Sequence, residues 1–297
     1  MEKDKTEVQL NYYRSKLLPY AYNIVGDSME AEDVVQEILN KYLIRPVEGV
    51  MNIEAYLVKA VINRSINQKK LLRNRKEQYL GEWLPTPVFT ENGIYSQADQ
   101  KPIIEYSLMV LLERLNPTER AVFILKEAFN YTHREIAETL ELQTDHCRQL
   151  LKRAKQKLQS KLRSEKKLDE TEQKLLRDLS TAILSADLSK IEEILSAEVV
   201  CLSDGGNKVS AARNRIVGKV RVLKLLKAIY GKYLLPSTQI VYTTVNYKPA
   251  ILYLLEKHIY RCIVFEIEGS QIKRFYVLVN PDKLQRLNTD YRKSIDR

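Results

Sequence analysis

Cysteine is almost missing from this 297-residue chain: Cys147, Cys201 and Cys262 are widely separated and odd in number. They build neither a disulfide framework nor a CxxC metal pair, which suits a reducing cytosol. Histidine is equally scarce, with His133, His146 and His258 scattered along the chain, so a zinc site has nothing to stand on. Long apolar runs are lacking too. No stretch approaches the roughly 18 residues that a membrane span requires, and the N-terminal MEKDKTEVQLNYY mixes both charge signs where a signal peptide would be apolar. These absences lead to the expectation of a cytoplasmic protein with no metal, no cofactor and no membrane association.

What is present is a foldable chain with a basic bias. A hydrophobic content of 44% and a charged content of 29% argue against wholesale disorder, and the length allows two or three domains. The formal net charge of +10 favours an anionic partner. In the first half, Leu10, Tyr13, Leu17, Ala21 and Ile24 recur at helical spacing. Gly26, Asp27 and Ser28 then punctuate, and a second helix follows with Ala31, Val34, Val35 and Ile38 inward. A third helix starts near Asn52 and runs into a stretch, Lys59 to Lys76, that carries Lys and Arg but no acid. Pro85, Pro87, Gly93 and Pro102 break the periodicity, which predicts a linker over 84–102. Helices resume at Ile104, and Asn116-Pro117 reads as an N-cap with proline at the first helical position.

Residues Tyr131 to Lys157 read YTHREIAETLELQTDHCRQLLKRAKQK, the pattern of a helix-turn-helix. Thr132 and Glu135 form a capping box that starts the first helix. Ile136, Ala137 and Leu140 make its buried stripe, and Thr144 is placed to cap the second helix. There Cys147, Leu150 or Leu151, Ala154 and Leu158 face inward, which turns Arg148, Gln149, Lys152 and Arg153 outward with Asp145. Arg reads guanine, Gln reads adenine and Lys neutralises phosphate, so Thr144, Arg148, Gln149, Lys152 and Arg153 are the candidate duplex-DNA contacts. Basic residues continue through Lys161, Arg163, Lys166 and Lys167. A solvated basic helix is the bland alternative for such a run, and the capped helix-turn-helix ahead of it favours DNA. Glu141 stands where many such turns carry Gly. A left-handed backbone there costs a non-Gly residue about 1 kcal/mol, so a slightly reshaped turn is expected.

LLPYAYNIVGDSMEAEDVVQE, Leu17 to Glu37, resembles region 2 of sigma-70 family factors. The resemblance implies that Asp33, Gln36 and Glu37 contact the beta-prime clamp helices of core RNA polymerase, as acceptors facing basic groups. AYLVKAVINRSINQKK, Ala55 to Lys70, resembles the family's −10 recognition helix. It implies that Asn63, Arg64, Asn67, Lys69 and Lys70 meet the opened promoter strand, the amides on base edges and the cations on phosphates. A flipped base would sit against the loop at about Val47 to Asn52. Together these segments resemble an extracytoplasmic-function (ECF) sigma factor, whose partners are core polymerase, through its beta-prime and beta subunits, and promoter DNA. YLGEWLPTP, Tyr79 to Pro87, is similar to the WLPEP linker signature of the ECF group with a SnoaL-like (NTF2-like) C-terminal extension, with Thr86 in place of Glu. DGGNK, Asp204 to Lys208, resembles that group's DGGGK motif with Asn207 in place of a Gly, and NPDKL, Asn280 to Leu284, its last motif.

Past about Lys167, two short helical patterns lead into runs rich in Val, Ile and Tyr: Val199 to Leu202, Gln239 to Val245, Ala250 to Leu255, Tyr260 to Ile267 and Lys273 to Val279. An α+β domain with an antiparallel sheet is expected, and the resemblance makes it an NTF2-like cone, where a small molecule is a candidate ligand. The expected organisation is an all-α half, with sigma region 2 over 1–83, a linker over 84–102 whose motif begins at Trp83, and a region 4 helix-turn-helix over 103–167. The NTF2-like domain follows over 168–297. In the resembled group the extension regulates in cis. The residues expected to meet there are Trp83, Leu84 and Pro85 of the linker with Asp204, Gly205, Gly206, Lys208, Asn280, Pro281 and Asp282. His258 and Asp204 are the visible candidates for an acid or base, but neither sits in a catalytic arrangement, so an enzyme is not expected. Two alternatives stay open: a one-component helix-turn-helix regulator with a ligand-sensing tail, and an NTF2-like enzyme fused to a DNA-binding module.

Overall fold

The computed structural model describes residues 2–45, 49–76, 79, 81–90, 103–158, 170–185, 187–233 and 237–295. The second half of the expected linker, the basic residues Lys161 to Lys167 and the start of the expected base-flipping loop at Val47 lie outside the described residues. The chain forms two compact units, Met1–Glu77 with Glu91–Arg163, and Gln78–Thr90 with Ser164–Arg297.

The first unit is helical: α1 (Glu2–Val25), α2 (Ser28–Ile44), α3 (Ile53–Lys76), α4 (Tyr106–Leu112), α5 (Pro117–Glu127), α6 (His133–Leu140) and α7 (Thr144–Leu158). Leu17, Ala21 and Ile24 of α1 pack with Ala31, Val34 and Val35 of α2 and Leu57 and Val61 of α3, all buried. The α1–α2 break has a local cause. Gly26 adopts φ +80°, and Asp27 caps α2 by accepting from the backbone N–H groups of Met29 and Glu30, each at 3.1 Å. A Cβ on Gly26 would lie 2.9 Å from a guanidinium nitrogen of Arg120 on α5, so bulk as well as φ selects glycine. Asn116 and Glu119 form a full capping box at α5 with Pro117 in its first turn, as the sequence indicates.

In the second unit α8 (Glu170–Leu184) and α9 (Leu188–Ile194) precede β1 (Leu195–Asp204), β2 (Ile216–Val217) and α10 (Lys219–Tyr233). Then follow β3 (Gln239–Val245), β4 (Lys248–Leu255), β5 (His258–Glu268), β6 (Gln271–Leu278) and α11 (Pro281–Ile295). The sheet order is β2-β1-β6-β5-β4-β3. Four of the five pairings are antiparallel as expected, and the fifth corrects the expectation: β1 runs parallel to β6. β3 to β6 form a hairpin-linked meander, and β1, reached only through the long α10 crossover, adds to its last strand in the same direction. Register shifts in β1, β4 and β5 bend the strands. Leu176 and Leu179 of α8, Ile191 of α9 and Val222 of α10 pack against Ile251, Tyr253, Phe265 and Phe275 of the sheet. The bent sheet and the helices packed on it form a cone domain. The helix α11, for which the sequence offers only its first residues NPDKL, is held by Asn288, which accepts from Ile259 N–H at 2.6 Å and donates to Ile259 C=O at 2.9 Å.

Candidate functional site

Thr132 and Glu135 form the expected capping box at α6. α6 ends at Glu141 with φ 56° and ψ 45°, so the turn keeps its left-handed residue rather than being reshaped, and Glu141 carries that strain. α7 begins at Thr144, with Cys147 N–H bonded to Gln143 C=O at 3.1 Å. Gln143 therefore occupies the cap position, and Thr144 is the first helical residue. Cys147, Leu150, Leu151, Ala154 and Leu158 are buried, which leaves Arg148, Gln149, Lys152 and Arg153 exposed in one stripe. Arg148 is tied to Asp145 at 2.7 Å. Gln149, Lys152 and Arg153 make no hydrogen bond or ion pair among the described residues, so their polar groups are available to a ligand. The helix is fixed from behind: Lys157 reaches both oxygens of the buried Glu119 on α5 at 2.7 Å.

On α2 and α3 the expected contact residues meet one another. Arg64 Nε lies 2.8 Å from Glu37, and its Nη1 donates to Gln68 at 2.9 Å. Hydrogen bonds from Lys41 and then from Arg64 hold the Glu37 carboxyl below the ordinary carboxylate range. Asp33 is exposed with no partner among the described residues, and Gln36 bonds Arg14 at 2.5 Å and Asn40 at 3.2 Å. Asn67 and Lys70 are exposed. Asn63 donates to Thr139 C=O of α6 at 3.0 Å. Lys69 is placed quite differently from an open phosphate ligand: its ammonium is buried, 2.7 Å from Val25 C=O and 2.7 Å from Glu113. Glu113 also accepts from Arg120 at 2.6 Å, and Arg120, fully buried, donates to Asn23 C=O at 2.9 Å.

In the second unit the segment Tyr79 to Thr90 lies along the cone domain. Asp204, at the end of β1, is almost wholly buried. One of its oxygens accepts from Leu84 N–H at 2.9 Å and pairs with Lys283 at 2.7 Å. The other accepts from the Tyr79 hydroxyl and from Gly206 N–H at 3.1 Å. Lys283 Nζ also donates to Leu84 C=O at 2.5 Å and sits 3.7 Å from the centre of the Trp83 ring. Burial, and then the Asp204 carboxylate, push the Tyr79 phenol above its ordinary value. Gly206 has φ +65°, and a Cβ there would fall 2.3 Å from the Asn280 side chain. Asn280 in turn donates to the Tyr79 oxygen at 3.1 Å and caps α11 by accepting from Asp282 N–H at 3.1 Å. Gly205 is packed as tightly, against Val209 C=O. Asn207 is left-handed at φ 59°, which Asn tolerates better than most residues. Lys208 and Asp282 pair at 2.8 Å on the surface. Pro85 and Thr86 are buried beside them. Further on, Val88 and Asn246 exchange two 3.1 Å hydrogen bonds, and Phe89 bridges to Val245.

Residues 106–158 match the family model "Sigma-70, region 4". Across nearly the whole chain the sequence is 27% identical to a probable ECF RNA polymerase sigma factor, SigI, of Mycobacterium tuberculosis, over 94% of each protein. Over nearly its whole length the chain is thus similar to ECF sigma factors. The ECF sigma factor SigJ of the same organism is 27% identical over 74% of this chain and 72% of its own length. A crystal structure of SigJ superposes with a TM-score of 0.75 at 22% identity, covering 94% of this chain and 98% of that one, which places the fold of both units.

Four side chains of these sites went unread in the sequence. Tyr79 and Lys283 stand inside the motifs YLGEWLPTP and NPDKL, and they make the polar centre of the linker site. Their signal was faint: a lysine beside an aspartate at a helix start looks like solvated charge. Glu113 and Arg120 have no motif at all, and yet they bury the charge of Lys69. Cys147, Cys201 and Cys262 are buried and unpaired. Burial raises all three thiols, Cys201 to about 12, which leaves them as inert core residues.

Proposed function

We propose that the protein directs core RNA polymerase to a set of promoters, binding rather than catalysing, in the cytoplasm. Region 4 reads the −35 element through Arg148, Gln149, Lys152 and Arg153, with Thr144 at the start of the recognition helix. Region 2 meets the opened −10 strand through Asn63, Arg64, Asn67 and Lys70, with Lys69 set aside because its ammonium is buried against Glu113, and the polymerase clamp through Asp33, Gln36 and Glu37. The observation that carries the reading is the stripe on α7: cationic and amide groups, exposed, on a helix pinned by the Lys157–Glu119 pair. The domain organisation is region 2 over 1–83, linker over 84–102, region 4 over 103–167 and the cone over 168–297. Reconstitution with core polymerase tests this: promoter-dependent RNA synthesis is expected, and tight duplex binding without polymerase would instead favour a one-component regulator.

The cone domain acts in cis on the linker. What supports this is the Asp204–Lys283 pair, which engages both the N–H and the C=O of Leu84 and leaves its peptide groups no need of water. A linker held there is not free to adopt another path between regions 2 and 4. Truncation after Lys167, and separately after Val279, is expected to change transcription from a cognate promoter; unchanged output from both ends the regulatory reading.

A further inference from the structure

The sheet face that packs under α8 and α10 is largely apolar, and Arg261 brings a charge to it. Along β5 the inward positions read Arg261, Ile263, Phe265, and Arg261 stands opposite Tyr253 of β4. A cavity of about 40 Å³ opens here between Leu179, Leu225, Ile251, Ile263 and Phe275, and Arg261 is the one charged residue among its described lining. Arg261 is half-buried, and its Nε is buried with no hydrogen-bond partner among the described residues. No carboxylate pairs with the guanidinium among the described residues. Among the described residues two aromatic faces attend it, Tyr253 at 5.5 Å and Tyr260 at 5.8 Å from their ring centres.

A guanidinium cannot lose its proton to escape an apolar wall, and a buried Nε–H without an acceptor there is costly. Cation–π contacts offset part of that cost but satisfy no N–H. The missing partner is an anion with a planar pair of acceptors, the shape the guanidinium fork matches bidentately. The rest of the wall accepts only hydrocarbon. We infer that this cavity is a binding site for a short or branched aliphatic carboxylate, its carboxylate on Arg261 and its chain among Leu225, Ile251 and Phe275. The volume sets the size, since 40 Å³ holds about three or four water-sized groups. This site lies within the cone domain alone and stands independently of the promoter reading.

Methyl NMR on the full chain tests it, with isovalerate as the probe and isovaleramide as its neutral isostere. Isovalerate is expected to give saturable shifts at Ile251, Ile263 and Leu225 methyls, with the amide at least tenfold weaker. Arg261→Met is expected to weaken isovalerate at least tenfold while keeping the remaining methyl spectrum and an unchanged or higher melting temperature without ligand. Equal response to acid and amide overturns the proposal, as does no response to either. Should Arg261→Met lower the melting temperature instead, the arginine is a packing residue and the site is refuted. Octanoate binding more tightly than isovalerate would overturn the size assignment.

Discussion

Lys283 and Asp204 are each at most 4% exposed and lie 2.7 Å apart, so neither charge has water to fall back on. Removing one partner of such a buried pair costs about 3–5 kcal/mol. Lys283→Met should therefore destabilise the cone unit by that order in urea titration, and adding Asp204→Asn should recover part of the loss, because the uncompensated carboxylate is gone. Glu141 offers a cleaner single-residue test. Its φ of 56° stores strain that glycine lacks, so Glu141→Gly should stabilise the chain by about 1 kcal/mol, read as a higher melting temperature. That position was legible in the sequence as an odd residue in a helix-turn-helix. What the sequence misjudged was the outcome, since the packing of α6 against α7 is worth more than the local penalty.

At the scale of elements, α7 shows how a helix can be both anchored and available. Its inward stripe, Cys147 to Leu158, could be read from period alone, and so could the outward one. In a complex with core polymerase, Lys152→Ala should weaken promoter binding almost equally across sequences and lower the slope of log K against log salt by about 1. Arg148→Ala should instead cost about 1–3 kcal/mol at one base position and relax selectivity there, measured by competition between promoter variants. The helix α3 behaves otherwise. Arg64, Lys69 and Lys70 in its cationic run were expected on promoter phosphates, but Lys69 turns inward to Glu113, together with Arg120. Glu113→Gln would leave two buried cations sharing one neutral acceptor, and a loss of about 3–5 kcal/mol is expected. Hydrogen exchange should show it as faster exchange at the C-terminal end of α1 and around Lys69.

For the whole molecule, the decisive arrangement is one of chain path: Tyr79 to Thr90 belongs with the cone domain, while the helices before and after it form the other unit. Composition could not reveal this, because Pro85, Pro87 and the loss of periodicity mark a linker without saying what it lies against. Likewise the strand runs were visible by their Val, Ile and Tyr content, but the parallel β1–β6 pairing was not, since strand direction depends on how the intervening crossover packs. The sequence by itself determined the two stripes of α7, the capped turn between α6 and α7 and the order of helices then strands, because these rest on local periodicity and capping, while the motifs that meet at Asp204 were legible only as a resemblance. Only the tertiary structure decided which charges are spent internally. Lys69 and Lys283 look alike in a sequence, and it takes Glu113 and Asp204, brought in from distant positions by packing, to tell a buried ion pair from a free cation.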